Sequence, residues 1–271
     1  MSISQQKNPL QPNVALRHTL GYYALFICLG MATGMNGPLL PTLAEQTQSR
    51  LGQMGWLFLA GSIGYTLGTN FGGRIFDRVR GHPILGLSVL VGAAVTFAIP
   101  VIPSFWLLLV LAACKAFADG IINTGANTLL VWTHGSRVGP YMNGLHFCFG
   151  LGAFISPLII AQVLDIPGGY RWVYWGLAVL AALVGLLLLS FKENPEPHQH
   201  PSQEPGKAAP LNVPLVLTGL LFLFFYVGSE ITFGGWVFTY ATTLNLSSEA
   251  AAAYLTSAFW FSFTIGRLLS I

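Results

Sequence analysis

Eight long apolar runs constrain this chain more than any other feature of its sequence. Each has about the 20 residues that a helix needs to cross roughly 30 Å of hydrocarbon. Inside a bilayer only helices or closed barrels satisfy every backbone polar group, and runs of this length favour helices. The sequence therefore predicts an all-α polytopic membrane protein. The runs are Leu20–Leu40, Leu51–Phe71, Ile84–Ile102, Phe105–Trp132, Met142–Val163, Trp172–Phe191, Val213–Ala241 and Ala250–Ile271.

The composition supports a membrane protein and excludes several other classes. Hydrophobic residues make up 54% of the chain and charged residues only 8%, against about 25% charged in soluble domains. So low a charged fraction excludes a soluble enzyme, a disordered protein and a nucleic-acid binder. The three cysteines all lie in apolar runs, which argues against a disulfide framework and against a metal site.

The basic residues predict the orientation in the membrane. With the N-terminus in the cytoplasm, the outer segments carry only Arg50 and Arg171. The inner segments then carry Lys7, Arg17, Arg74, Arg78, Arg80, Arg137, Lys192 and Lys207. Because cytoplasmic loops are enriched in Lys and Arg, we expect a cytoplasmic N-terminus. We expect the plasma (inner) membrane as the location.

The runs divide the chain into four parts. We predict a cytoplasmic tail over 1–19, a six-helix bundle over 20–191, a flexible cytoplasmic linker over 192–211 and the start of a second bundle over 212–271. The linker is rich in Pro, Gln, His and Glu, which cannot build a core. Its His198 and His200 are interpreted as solvated side chains rather than metal ligands, because no Cys or further His is near them.

The fourth run carries a polar row at steps of four residues: Lys115, Asp119, Asn123 and Asn127. On a helix this spacing forms one slowly turning stripe. A charge at mid-membrane costs at least about 2.5–3.5 kcal/mol and is by default functional. Two interpretations remain open. Lys115 and Asp119 neutralise each other and hold helices together, or the stripe faces a watery cavity and binds substrate through its carboxamides.

The other predicted site residues lie in three further runs. Glu230 is an acid in the seventh run that we expect to exchange a proton or another cation. Trp236 and Tyr240, in the same run, are expected to contact a sugar or to be interfacial aromatics. His146 in the fifth run and Asn36 in the first are candidates for substrate binding. Histidine in such a place is otherwise a packing residue.

The loop between the second and third runs carries a recognisable motif. Gly73 is followed four residues later by Asp77 and Arg78, which resembles the signature loop of the major facilitator superfamily. The stretches 142–147 and 226–241 resemble the fifth and seventh spans of its fucose permease-like branch, which includes sodium-dependent glucose transporters. In span four, residues 123–127 are similar to the branch's acid-Thr-small-small-Asn motif.

This resemblance implies two six-helix bundles, a central sugar site and alternating access driven by a proton or sodium ion, with no other cofactor. Gly73, Asp77 and Arg78 would form a cytoplasmic gating motif. Asn123 stands where the family usually has the coupling acid of span four. The resemblance therefore assigns cation coupling to Asp119 or Glu230, with Lys115 as the charge partner within the membrane.

The family has twelve spans, whereas this chain stops within the eighth. We therefore expect a fragment whose remaining helices come from a longer chain or from a second chain. The leading prediction is a secondary transporter for a monosaccharide in the lipid bilayer. Alternatives are a transporter of another small solute, including a drug exporter, and a truncated remnant or half-transporter. An enzyme is not expected, because the runs contain no His-Glu-x-x-His motif or paired catalytic aspartates.

Overall fold

The computed structural model describes residues 11–196 and 212–269, which form eight α-helices. The helices are α1 (Pro12–Gln46), α2 (Gly55–Phe76), α3 (Gly81–Ala98), α4 (Phe105–His134), α5 (Val138–Ala161), α6 (Gly169–Leu189), α7 (Val213–Thr243) and α8 (Glu249–Leu269). The predicted eight-helix architecture is confirmed. Residues 197–211, with His198 and His200, lie outside the described residues, and so does most of the predicted linker.

Helix α1 is longer than the apolar run from which it was predicted. It begins at Pro12, where a proline suits the first helical turn because that turn needs no N–H donor. Its 35 residues span about 50 Å at 1.5 Å per residue. The helix therefore starts well before the membrane-length apolar segment at Leu20. Pro38 and Pro41 lie inside its last turns.

Most of these helices are long and apolar enough to cross a membrane. By length and hydropathy the qualifying segments of the described chain are Pro12–Gln46, Gly81–Val101, Phe105–Ala161, Gly169–Leu189 and Val213–Thr243. The segment Phe105–Ala161 contains both α4 and α5. Helices α2 and α8 are not among these segments; α2 contains six glycines, and α8 contains two serines and two threonines. Small and hydroxyl-bearing residues are common where membrane helices pack closely.

Helix α1 is the hub of the bundle. Helices pack most extensively in the pairs α2 with α4, α1 with α5, α3 with α6, and α5 with α8. Helix α1 also contacts α4, α6, α7 and α8. Its residues Tyr22, Leu25, Phe26, Met35 and Leu39 are among the largest fully buried side chains. The core therefore lies around α1, and α7 and α8 join it through α1 and α5.

One end of the bundle, here named the basic end, is where α1 begins and where α2, α4 and α6 end. The Arg17 guanidinium lies 5.0 Å from the centre of the Phe191 ring and donates to the Ser190 hydroxyl at 3.2 Å. Beneath it, the Tyr22 hydroxyl and His82 Nε2 share a buried hydrogen bond of 2.6 Å. These contacts fasten the segment after α6 to α1 and α3.

Glycines allow the close packing of α2 against α4. A Cβ on Gly64 would overlap the carbonyl group of Ala113, and one on Gly68 would overlap that of Phe117. In the other direction, a Cβ on Gly120 would overlap the Tyr65 carbonyl oxygen. Small residues at such crossings let helix backbones approach within a membrane. The α2–α4 distance and register therefore depend on these glycines.

We predict that Gly68→Ala destabilises the protein by about 1–3 kcal/mol, the usual cost of overpacking a tight interface. The matched control on the same helix is Gly61→Ala, because a Cβ there would lie 3.9 Å from the Ala116 Cβ, an ordinary contact. Thermal unfolding of the detergent-purified variants measures the difference. Equal melting temperatures for the two variants would show that the crossing does not depend on Gly68.

Candidate functional site

The charged half of the α4 row is an ion pair. Lys115 Nζ lies 2.6 Å from Asp119 Oδ2, and the two side chains are 18% and 22% exposed. Both line a small cavity among α1, α3, α4 and α6, whose walls include Cys28, Ala32 and Thr96. The pair therefore opens into the interior of the first six helices. It connects two residues of one helix and makes no bridge between helices.

The carboxamide half of the row faces α2. Asn123 Nδ2 donates to the Tyr65 hydroxyl at 2.6 Å. Asn127 Nδ2 donates to the Asn123 backbone carbonyl at 2.8 Å and contacts its Oδ1 at 3.2 Å. Tyr65 was not predicted as a site residue. The signal that could have indicated it is the glycine row of α2, which brings this part of the helix against α4.

Helix geometry explains why one row has two surroundings. Each step of four residues turns about 40° and rises about 6 Å, so the row turns about 120° over roughly 18 Å. It begins at the cavity with Lys115, meets Tyr65 of α2 at Asn123 and ends at Asn127. Asp119 lies at the change-over and interacts electrostatically with Tyr65. The structure thus places all four predicted α4 residues in one polar row, in which Asn123 is hydrogen-bonded to Tyr65.

Glu230 and His146 are both half-buried, on α7 and α5. Glu230 is the one residue of the segment 213–233 that is not classed among the exposed residues. The His146 ring packs edge-on against Phe26, with ring centres 5.9 Å apart. Both side chains are therefore partly covered, His146 on a helix of the first six and Glu230 on α7.

At the end opposite the basic end, α7 meets α1 and α2. A Cβ on Gly37 would lie 2.6 Å from the Gly234 carbonyl oxygen. The Phe58 and Trp236 rings lie 5.9 Å apart between centres. Trp236 therefore packs against α2. Asn36, next to Gly37, is exposed.

Helix α8 meets α5 towards the same end. The Ser257 hydroxyl donates to the Phe154 carbonyl at 3.0 Å, and Gln162 Nε2 donates to the Tyr254 hydroxyl at 2.8 Å. Tyr240 on α7 is 61% exposed.

The first part of α7 differs from this packed end, because nearly all of its side chains from 213 to 233 are exposed. Helices α7 and α8 therefore contact the first six helices at the opposite end, and α7 stands apart from them at the basic end.

The predicted gating motif lies at the basic end. Helix α2 ends at Phe76, and the Arg78 N–H donates to the Ile75 carbonyl at 3.0 Å, which makes a tight turn before α3. Asp77 and Arg78 are exposed, and a Cβ on Gly73 would meet open space. The motif is therefore accessible on the side where α7 stands apart.

The cysteines give no indication of a metal centre. Cys28 is buried, Cys148 is half-buried and Cys114 is exposed, and all three are free. Within residues 11–196 and 212–269, no group of three or more His, Cys, Asp or Glu side chains is arranged to hold a metal ion.

Comparison with known proteins identifies the family. A family model described as Major Facilitator Superfamily matches residues 22–271. The chain belongs to the major facilitator superfamily. It is 30% identical to mouse sodium-dependent glucose transporter 1A over 92% of its own length and 67% of that protein. It is 28% identical to human sodium-dependent glucose transporter 1 over 92% of its length and 55% of that protein.

A solved structure supports the same fold. The structure of a bacterial homologue of the human lysosomal transporter Spinster, in an inward-facing and unoccupied conformation, aligns with a TM-score of 0.59 at 17% identity. The alignment covers 89% of this chain and 57% of that one. The chain thus spans roughly half to two thirds of these relatives. The predicted family and fold class are confirmed. The chain is an integral, multi-pass membrane protein of a transporter family.

We predict that Gly37→Val separates α7 from α1 at the opposite end, because its side chain would occupy the space of the Gly234 carbonyl. Labelling of Trp236 by hydroxyl radicals, read by mass spectrometry, should increase. The control is Gly52→Val, near the same end, where a Cβ would meet open space. If Trp236 labelling were the same in both variants, the Gly37 contact would not hold this end together.

Proposed function

We propose that this chain is part of a secondary active transporter that moves a monosaccharide by alternating access, as a proton or sodium symporter. The observation that carries the proposal is the connected row on α4. An ion pair at a cavity is followed, one helical turn on, by two carboxamides, of which Asn123 is hydrogen-bonded to Tyr65. A membrane helix keeps such a row for a polar solute and a cation, because each polar group there costs free energy.

The chemistry of the row favours a sugar over an apolar solute. Each carboxamide of Asn123 and Asn127 offers both donors and acceptors, as a hydroxyl-rich ligand requires. Aromatic faces suit the apolar face of a sugar ring, and Trp236 and Tyr240 supply them on α7. Asn36 and His146 complete the proposed binding set. The relatives at about 30% identity are named sodium-dependent glucose transporters, which supports the same substrate class.

The coupling group is proposed to be Asp119 or Glu230. Asn123 is neutral, so the carboxylates of span four and span seven remain for a cation. Asp119 lines a cavity and interacts with Tyr65, so a change of its charge reaches the carboxamide row directly. Glu230 lies on the helix that closes the opposite end, which would link its charge to the movement of α7.

We propose that alternating access works by changing which end of the bundle is closed. The contacts of Gly37 with Gly234 and of Phe58 with Trp236 close the opposite end. With the N-terminus in the cytoplasm of a plasma membrane, the basic end is cytoplasmic and this conformation opens inward. Gly73, Asp77 and Arg78 would then act as a cytoplasmic gate when α7 approaches α2.

The proposed partners are the lipid bilayer, the sugar and further helices of the second bundle. Leu215, Phe222 and Phe224 on α7 are between 67% and 71% exposed. Two helices do not enclose a central site. We propose that the remaining helices come from a longer chain or a second chain.

The test is uptake of labelled glucose into proteoliposomes that contain the product of the complete reading frame, under sodium or proton gradients. We predict that Asn123→Leu raises KM by at least about tenfold, since a site built to bond hydroxyls discriminates strongly when a polar partner is lost. The control is Asn70→Leu on α2, because the Asn70 carboxamide bonds the Thr66 carbonyl of its own helix. Unchanged uptake in Asn123→Leu, or no glucose uptake under either gradient, would reject the proposal.

A further inference from the structure

We infer that Lys115 is a tethered competitor for the coupling cation: its ammonium occupies the Asp119 carboxylate until a sodium ion or a proton displaces it. This inference rests on the proposed symport and specifies the ion site within it. The juxtaposition that supports it is an ion pair of 2.6 Å, within one helix, whose two members line the same cavity.

The pair is poorly suited to a structural role. Lys115 and Asp119 lie one turn apart on α4, so their contact holds no second helix in place. Such a pair stabilises an isolated helix by only about 0.2–0.5 kcal/mol. Placing a charge at the middle of a membrane helix costs about 2.5–3.5 kcal/mol or more. Packing alone therefore does not account for keeping both charges in this bundle.

Two side chains of the otherwise mainly apolar cavity wall, Asp119 and Thr96, offer oxygen atoms to a small hard cation. Asp119 Oδ2 is bonded to Lys115, so the second carboxylate oxygen is a further ligand atom. Thr96, on the cavity wall, donates its own proton to the Gly92 carbonyl at 2.8 Å. The Thr96 oxygen therefore keeps its lone pairs as acceptors. Carboxylate, hydroxyl and carbonyl oxygens are the ligands that hard cations prefer.

Lysine suits the role of a displaceable occupant. Its ammonium is a compact charge at the end of a flexible four-carbon stem, without the fixed two-point geometry of arginine. When a cation takes the carboxylate, the net charge around Asp119 rises by one and the ammonium is released. Because Asp119 interacts with Tyr65 and Tyr65 accepts from Asn123, the exchange changes the field at the proposed sugar row.

The experiment measures cation binding directly on the detergent-purified chain, without sugar transport. Equilibrium binding of radioactive sodium ions and proton uptake at Asp119, followed by infrared spectroscopy of its carboxyl band, are compared in the wild type and four variants. These are Lys115→Gln, Lys115→Arg, Asp119→Asn and Lys192→Gln, of which the last removes an exposed basic residue after α6 as the control.

Lys115→Gln should tighten binding of one cation, sodium or the proton, by about tenfold, within the usual range of coupling between sites. Asp119→Asn should abolish that binding. Lys115→Arg should bind no more tightly than the wild type because a competing charge remains, and Lys192→Gln should change nothing. The ion that responds to Lys115→Gln is the coupling cation.

Two results would overturn the inference. One is unchanged or weaker binding of both cations in a folded Lys115→Gln variant, which would make Lys115 a simple charge partner. The other is cation binding that survives Asp119→Asn, which would place the ion elsewhere, with Glu230 as the next carboxylate to test. Failure of the sugar proposal would give a different result: the wild type would show no glucose uptake, while the competition between Lys115 and the cation would still be measured.

Discussion

Close helix crossings at glycine are the constraint on which the rest of this structure depends. Lipid tails cover an apolar helix surface as favourably as a neighbouring helix does. Close packing and polar contacts must therefore fix the arrangement of the helices. Gly68 and Gly120 let the backbones of α2 and α4 touch near Phe117 and Tyr65. That register sets Tyr65 opposite Asn123. A shift of one residue would turn the helix by about 100° and separate the two groups.

Much of the fold was predictable from the sequence, because apolar length and polarity are properties of each segment alone. The eight helices and the stepwise row on α4 follow from the positions of apolar and polar residues. The start of α1 at Pro12 does not follow from hydropathy, because a helix continues beyond its apolar part wherever the backbone is suited to it. Hydropathy marks where a helix meets lipid, which differs from where it begins.

The surroundings of the row were not predictable in the same way. Spacing shows that Lys115, Asp119, Asn123 and Asn127 share a stripe, but the direction of the stripe depends on which helices pack beside α4. Only the structure shows that the charges face a cavity inside the first six helices while Asn123 meets Tyr65 on α2. The contact of Gly37 with Gly234 joins residues almost 200 positions apart, which no local pattern indicates.

Helix α1 connects the ion pair with the closed end of the bundle. Its residues Cys28 and Ala32 line the cavity of Lys115 and Asp119, and Gly37, just over one turn after Ala32, meets α7. A helix transmits displacement along its axis over so short a distance. Any rearrangement of the cavity wall that moves α1 therefore moves the surface against which Gly234 packs. The proposed ion exchange and the proposed change of the closed end would thus act on the same helix, since α1 both lines the cavity and carries Gly37.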